Sequence, residues 1–186
     1  GALLPIRTLR GCYWGKCRFC SYPHTSGKYG LTSAEFVVDS IIKLQKEYKI
    51  NNFEFIDSSM PANFLRRIAE RIIENNLKVK WFCRANFMEN LKDIEFVKVL
   101  RKSGCDALSL GLESGNDRIM KYMKKMQKDK DSVLEIIRVL RSEDITPVLY
   151  VMIGFPTETK EEMEETIDFV MRLKKEYQCS ISGVSV

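Results

Sequence analysis

Short apolar runs alternate along this chain with longer stretches whose apolar residues recur every three or four positions. The runs at 6–11, 52–57, 79–85, Cys105–Glu113, 147–153 and 180–186 have the length of strands. In Cys105–Glu113, Leu108, Leu110 and Leu112 fall on one phase, and Cys105, Ala107, Ser109, Gly111 and Glu113 on the other. Helical spacing joins Val37, Ile41, Leu44 and Tyr48; then Leu65, Ile68 and Ile72; then Ile94, Val97 and Leu100. It returns in Val133, Ile137 and Leu140, after a break around 127–131, and in Met163, Ile167, Val170 and Leu173. Thr32-x-x-Glu35 and Thr159-x-x-Glu162 read as capping boxes. Pro61 suits the first turn of a helix, and Gly104 suits the left-handed position past a helix end.

Strands that alternate with helix-length crossovers are parallel, with helices packed outside, so the fold class is α/β. The small residues Ser109 and Gly111 on the inner phase favour a hollow barrel over a flat sheet. A full eight-stranded barrel takes about 250 residues, which predicts a partial (β/α)6-type parallel barrel lacking its last helix. Residues 1–186 thus read as one core domain cut from a longer chain. The final strand should then expose apolar surface, with either Ile181 or Val184 facing outward.

Composition narrows the class. With 45% hydrophobic and 30% charged residues, the chain matches a soluble globular domain and not a disordered tail. The net charge of +5 is modest; its densest part, at 121–130, could touch an anionic substrate or simply form a solvated helix face. No run approaches the roughly 20 apolar residues of a membrane span, and no signal peptide opens the chain. Three of the six cysteines crowd into nine residues and three stand alone. That is not the layout of a secreted disulfide framework, and it points to a reducing, cytoplasmic setting.

The crowded cysteines carry the chemistry. Arg10-Gly-Cys-Tyr-Trp-Gly-Lys-Cys-Arg-Phe-Cys20 spaces its thiols as C-x4-C-x2-C at the end of the first strand, where parallel α/β folds build their sites. Thiolates suit an iron–sulfur cluster or zinc. Zinc would take His24 as its fourth ligand, making a non-enzymatic staple of Cys12, Cys17, Cys20 and His24. A four-iron cluster on three thiolates keeps one iron open for chemistry. Cys83, Cys105 and Cys179 sit in apolar runs and read as small buried hydrophobes. The series Met120, Met123 and Met126 reads as helix packing.

The loop resembles the signature of the radical S-adenosylmethionine (SAM) superfamily, C-x3-C-x2-C, with Phe19 at its aromatic position and a first gap one residue longer. Such extended gaps, and a Cys-Tyr-Trp-Gly opening, resemble cobalamin-associated, peptide-modifying branches. Phe55-Ile-Asp-Ser-Ser59, Leu110-Gly-Leu-Glu-Ser-Gly115 and Met152-Ile-Gly-Phe-Pro-Thr-Glu158 resemble the family's further strand-end motifs in order. The likeness covers nearly the whole chain. It is closest to the branch with methylthiotransferases, oxygen-independent coproporphyrinogen oxidases and cobalamin-binding members.

The resemblance implies an enzyme in which Cys12, Cys17 and Cys20 ligate a 4Fe–4S cluster that cleaves SAM reductively to a 5′-deoxyadenosyl radical, or drives cobalamin-linked methyl transfer. Cobalamin would sit in a domain outside this chain. Asp57 and Ser58 would meet the SAM ammonium, or else cap the helix that starts near Pro61. Glu113 would meet the SAM ribose or amino group, or end its strand in solvent. Arg84, between apolar residues, would meet the SAM carboxylate or pair with a neighbouring acid. Phe19 would flank adenine or cluster, or fill the loop. Gly154 would let the backbone approach adenine, or serve a turn. The implied partners are an electron donor such as flavodoxin or ferredoxin and a peptide, small-molecule or RNA substrate. No residue type identifies which of these, or a catalytic residue beyond the cofactor set.

Overall fold

The apolar phases of the strands and the apolar stripes of the helices meet in one core. The computed structural model describes residues 2–127 and 129–185, and nothing is described of the side chains at 184 and 185. The strand β1 (Leu4–Ile6) is followed by a two-residue strand, β2 (Leu9–Arg10), the cysteine loop and a single-turn helix, α1 (Tyr22–Thr25). β3 (Gly30–Leu31) pairs antiparallel with β2 and leads into α2 (Ala34–Tyr48). The chain continues through β4 (Asn52–Phe55), α3 (Ala62–Glu74), β5 (Lys80–Ala85), α4 (Ile94–Lys102) and β6 (Cys105–Glu113). It closes with α5 (Asp117–Tyr122), α6 (Lys130–Ser142), β7 (Thr146–Met152), α7 (Lys160–Tyr177) and β8 (Ser180–Ser185).

The main sheet has six strands in the order β1-β4-β5-β6-β7-β8, every neighbouring pair parallel. Among the described residues β1 and β8 are the edge strands, and the architecture is the expected partial barrel, an open α/β sheet. Among the described residues no helix follows β8. Ile181 is half-buried; its expected partner in that alternation, Val184, has a side chain outside the described residues. Leu108, Leu110 and Leu112 are fully buried on the helix side of β6, each contributing about 1.5–3 kcal/mol by leaving water. No helix among the described residues is long and apolar enough to cross a membrane.

Several local expectations need correction. The first barrel strand is Leu4–Ile6 and not 6–11, because Leu9 and Arg10 leave the sheet to pair with β3. Ser33, not Thr32, caps α2, accepting from the Phe36 amide at 3.1 Å; Thr32 is held by its own backbone bond to Thr8. The Thr159–Glu162 capping box is present as expected. Pro61 is the cap residue of α3 and not inside its first turn. Ile94, Ile167 and Tyr48 are exposed, since Phe96 takes the inward place on α4 and Thr166 and Phe169 take it on α7. Cys105 changes face. A register shift lets Cys105 pair with Trp81, and Ala107 with Phe82, so the extra residue Asp106 carries Cys105 over to the buried helix side.

One turn depends on its glycine. Gly104 has φ +98° between α4 and β6, and a Cβ there would run into the Val79 carbonyl oxygen. Gly104→Ala is expected to destabilise the fold by at least about 1–3 kcal/mol, read as a lowered denaturation midpoint at unchanged m-value. An unchanged midpoint would show that the β5–β6 bottom turn can relax freely.

Candidate active site

The loop 11–21 is fastened to the ends of β4 and β5 and to the segment that ends α5. The buried Asp57 carboxylate, just past β4, accepts from the Thr8 amide at 3.0 Å, the Thr8 hydroxyl at 2.6 Å and the Leu9 amide at 2.8 Å. These bonds fix the chain where it leaves β1 for the loop. Ser58 donates its hydroxyl to the Gly11 carbonyl at 2.6 Å. Beyond β5, Asn86 donates to Ser59 at 3.0 Å and to the Tyr13 hydroxyl at 3.3 Å. On the far side, Trp14 Nε1 donates to the Lys124 carbonyl at 2.8 Å, and the Arg18 amide donates to that of Met123 at 3.0 Å. Arg18 also stacks over Tyr122, its guanidinium carbon 4.4 Å from the ring centre.

Held this way, the thiols of Cys12, Cys17 and Cys20 line one cavity of about 350 Å³ at the C-terminal ends of the strands. All three are free and half-buried. Burial raises the Cys17 thiol above its usual range, and the Lys125 ammonium works against that rise. Ser58, Arg84, Glu113 and Lys125 form the facing wall. A larger hollow of about 560 Å³ opens at the opposite ends of the strands, between Lys49 and Lys80. It holds no cysteine, so size is no guide to the chemistry here.

Glu113 owes its place to a second register shift. Gly111 pairs with Tyr150 and Glu113 with Val151, and Glu113 sits at φ +64°. A left-handed non-glycine residue costs about 1–3 kcal/mol. Gln127 holds the distortion by donating from Nε2 to the Gly111 carbonyl at 3.0 Å and the Leu112 carbonyl at 3.1 Å. Lys125 Nζ reaches Glu113 at 3.1 Å, with both side chains almost buried. Gly111 leaves room for this pair, because a Cβ there would run into the Glu113 carboxylate and lie 2.8 Å from Lys125 Nζ, so that a larger residue would make the pair shift. Lys125 also lies 5.8 Å from the centre of the Phe19 ring.

The structure thus gathers Phe19, Ser58, Arg84 and Glu113 around the thiols and sets two expected residues apart. Asp57 does not line the cavity; its oxygens are committed to Thr8 and Leu9. Gly154, at φ +81°, borders a shallower hollow with Phe155 behind Phe19, and its amide donates to Glu158 at 2.6 Å. Arg84 is exposed to the cavity and not buried against an acid. His24 lies in α1, outside the cavity lining. Among the described residues no three His, Cys, Asp or Glu side chains stand close enough to hold a single metal ion. A tetrahedral ion, with bonds of about 2.3 Å, would need its sulfurs within about 4 Å of one another. A four-iron cluster binds each thiolate at a separate corner and does not require them to converge on one point.

Sequence reasoning missed Lys125, Asn86 and Tyr150. Lys125 was hidden in a lysine-rich run that reads as a solvated face, twelve residues from the acid it pairs with. The isolated cysteines match expectation: Cys83 and Cys105 are buried with thiols pushed far up by desolvation, and burial lifts Cys179 to about 11. Such thiols stay protonated and inert.

Comparison with known proteins agrees with this layout. Residues 6–170 match the model of the Radical SAM superfamily. The chain is 30% identical over 175 residues to an uncharacterized methyltransferase of Pyrococcus horikoshii, covering 92% of this chain and 37% of that protein. It is 32% identical over 161 residues to the anaerobic magnesium-protoporphyrin IX monomethyl ester cyclase of Cereibacter sphaeroides, covering 84% of this chain and 26% of that protein. The chain therefore spans between about a quarter and two fifths of the length of these relatives. The radical SAM methyltransferase TsrM of Kitasatospora setae, solved with cobalamin and a [4Fe-4S] cluster, shares the fold, with a TM-score of 0.81 and 22% identity over all of this chain and 36% of that one. With the cysteine loop, the strand-end acid and the family match in agreement, this chain belongs to the Radical SAM superfamily of enzymes.

Proposed function

We propose that Cys12, Cys17 and Cys20 hold a 4Fe–4S cluster and that SAM binds beside it in the same cavity. The observation that carries this reading is three thiols facing one cavity together with a Glu113–Lys125 pair held in place by a strained backbone. When bound, the cluster supplies an electron that splits the SAM sulfonium and generates an organic radical for the reaction. The chain's own residues bind and orient. Lys125 and Glu113 neutralise each other across 3.1 Å, and a ligand bearing both a carboxylate and an ammonium can replace that pairing, Lys125 taking the carboxylate and Glu113 the ammonium. Phe19 lines the cavity beside Lys125 and offers an apolar face to a ligand there, and Ser58 holds the loop through Gly11. Asp57 positions the loop and makes no cofactor contact.

The two relatives are named for different reactions, methyl transfer and ring closure. What the superfamily shares is reductive SAM cleavage, so the proposal stops at that step, with the electron coming from a flavodoxin- or ferredoxin-type donor. The test is spectroscopic. Addition of SAM to the reduced, reconstituted chain should change its electron paramagnetic resonance spectrum, and Glu113→Ala should weaken SAM binding by about 1–3 kcal/mol. An unchanged spectrum at saturating SAM would remove the mechanism.

A further inference from the structure

The cavity holds two cations in different situations. Lys125 stands beside the thiols, bears on Cys17 and is matched by Glu113. Arg84 stands on β5, where its carbonyl accepts from the Met60 amide at 2.9 Å, so the backbone under it is fixed. Of the acids on the neighbouring strands, Glu113 is committed to Lys125 and Asp106, at the other end of β6, to Lys80 and Arg101, while Glu54 forms no ion pair among the described residues. Among the described residues none forms an ion pair with Arg84, whose side chain is open to the cavity. Glu54 lies on the adjacent strand, paired in register with Phe82, two residues before Arg84.

Small residues leave room around this guanidinium. Arg84 pairs across the sheet with Ser109, and Tyr150 pairs with Gly111 and Gly183. A Cβ on Gly183 would stand 3.4 Å from the Tyr150 ring, so the phenol lies over bare backbone. Hydrogen bonding to Ser182, then the Arg84 guanidinium beside it, holds the Tyr150 hydroxyl below its usual range. A guanidinium on a fixed backbone, in no ion pair and with a phenol beside it, suits a planar oxyanion.

We infer that Arg84 and Tyr150 form a carboxylate-binding subsite for the substrate, distinct from the place of the SAM carboxylate. Lys125 is the cation at the thiols, where the methionyl end of SAM must lie if it meets the cluster; Arg84 is left for the other molecule. The substrate half of this inference rests on the proposed function, whereas the carboxylate half does not.

The probes are 3-phenylpropionate and its neutral amide, 3-phenylpropionamide, whose ring suits the Trp14 and Phe19 wall. Titrated by NMR into the cofactor-free chain, the acid should bind about tenfold tighter than the amide. Arg84→Met should bind both alike, and Tyr150→Phe should lose about threefold of the preference. Circular dichroism checks folding, and Tyr150→Phe carries the test alone if Arg84→Met does not fold. In the reconstituted chain saturated with SAM, the acid should still bind, and Arg84→Met should keep SAM affinity within about twofold. Equal binding of acid and amide by the wild type would overturn the subsite. Displacement of the acid by SAM, with SAM affinity lost in Arg84→Met, would give the carboxylate to SAM and overturn the substrate assignment. Failure of the reconstituted wild type to bind SAM, with the acid preference intact, would overturn the proposed function and support the subsite.

Discussion

Cys17→Ala, reconstituted anaerobically with iron and sulfide, is expected to retain essentially no cluster, and Cys12→Ala and Cys20→Ala are expected to behave alike. Three thiolates are one short of the full set that usually holds a four-iron cluster, so the site has no spare ligand. His24 lies outside the cavity lining. The other three cysteines are buried on the far side of the sheet or in the core, with thiols that burial keeps protonated. Cys83→Ala and Cys105→Ala should therefore keep full iron and sulfide content. Their cost should appear only as lost packing, on the order of 1 kcal/mol for a small buried side chain. Iron and sulfide analysis with absorption spectroscopy reads all five variants. Cluster retained in Cys17→Ala and lost in Cys83→Ala would end the assignment.

Asp57→Ala should be the most damaging change outside the thiols. The carboxylate is 1% exposed and satisfies two backbone amides and one hydroxyl at the entry to the loop. Its removal leaves buried donors without partners, at about 1–3 kcal/mol each, so a loss of about 3–5 kcal/mol is expected in urea denaturation. Asp57→Asn keeps one acceptor oxygen and should lose about half as much. Because the same bonds aim the chain from β1 into the loop, cluster occupancy should fall with stability across the two variants. If Asp57→Ala kept wild-type stability and cluster content but lost SAM affinity, Asp57 would be a SAM ligand and its bonds to Thr8 and Leu9 incidental.

The relation of Asp57 to the loop shows where linear reading reaches its limit. Phe55-Ile-Asp-Ser-Ser59 marks a functional segment at a strand end, and the structure puts it beside the cysteines. Which side chain of that segment faces the cavity depends on contacts 49 residues away, with Thr8. Ser58 and Ser59 line the cavity, and Asp57 turns back into the fold. Glu113 is the opposite case. Its strand phase is legible from Ser109 and Gly111, but its left-handed backbone and its Lys125 partner come from a register shift that no alternation encodes.

Linear order alone carries the parallel α/β class, the alternation of the main strands and helices, the capping box at Thr159 and the spacing of the three crowded thiols. Each follows from patterns within a few residues, such as apolar periodicity, cap hydrogen bonds and thiol spacing, which linear order preserves. The tertiary structure alone decided which face Cys105 takes, since one extra residue opposite Trp81 reverses the alternation. It also decided that Arg84 is open and Lys125 paired, because the charge environment of a side chain is set by strands and loops that meet only when the sheet is assembled.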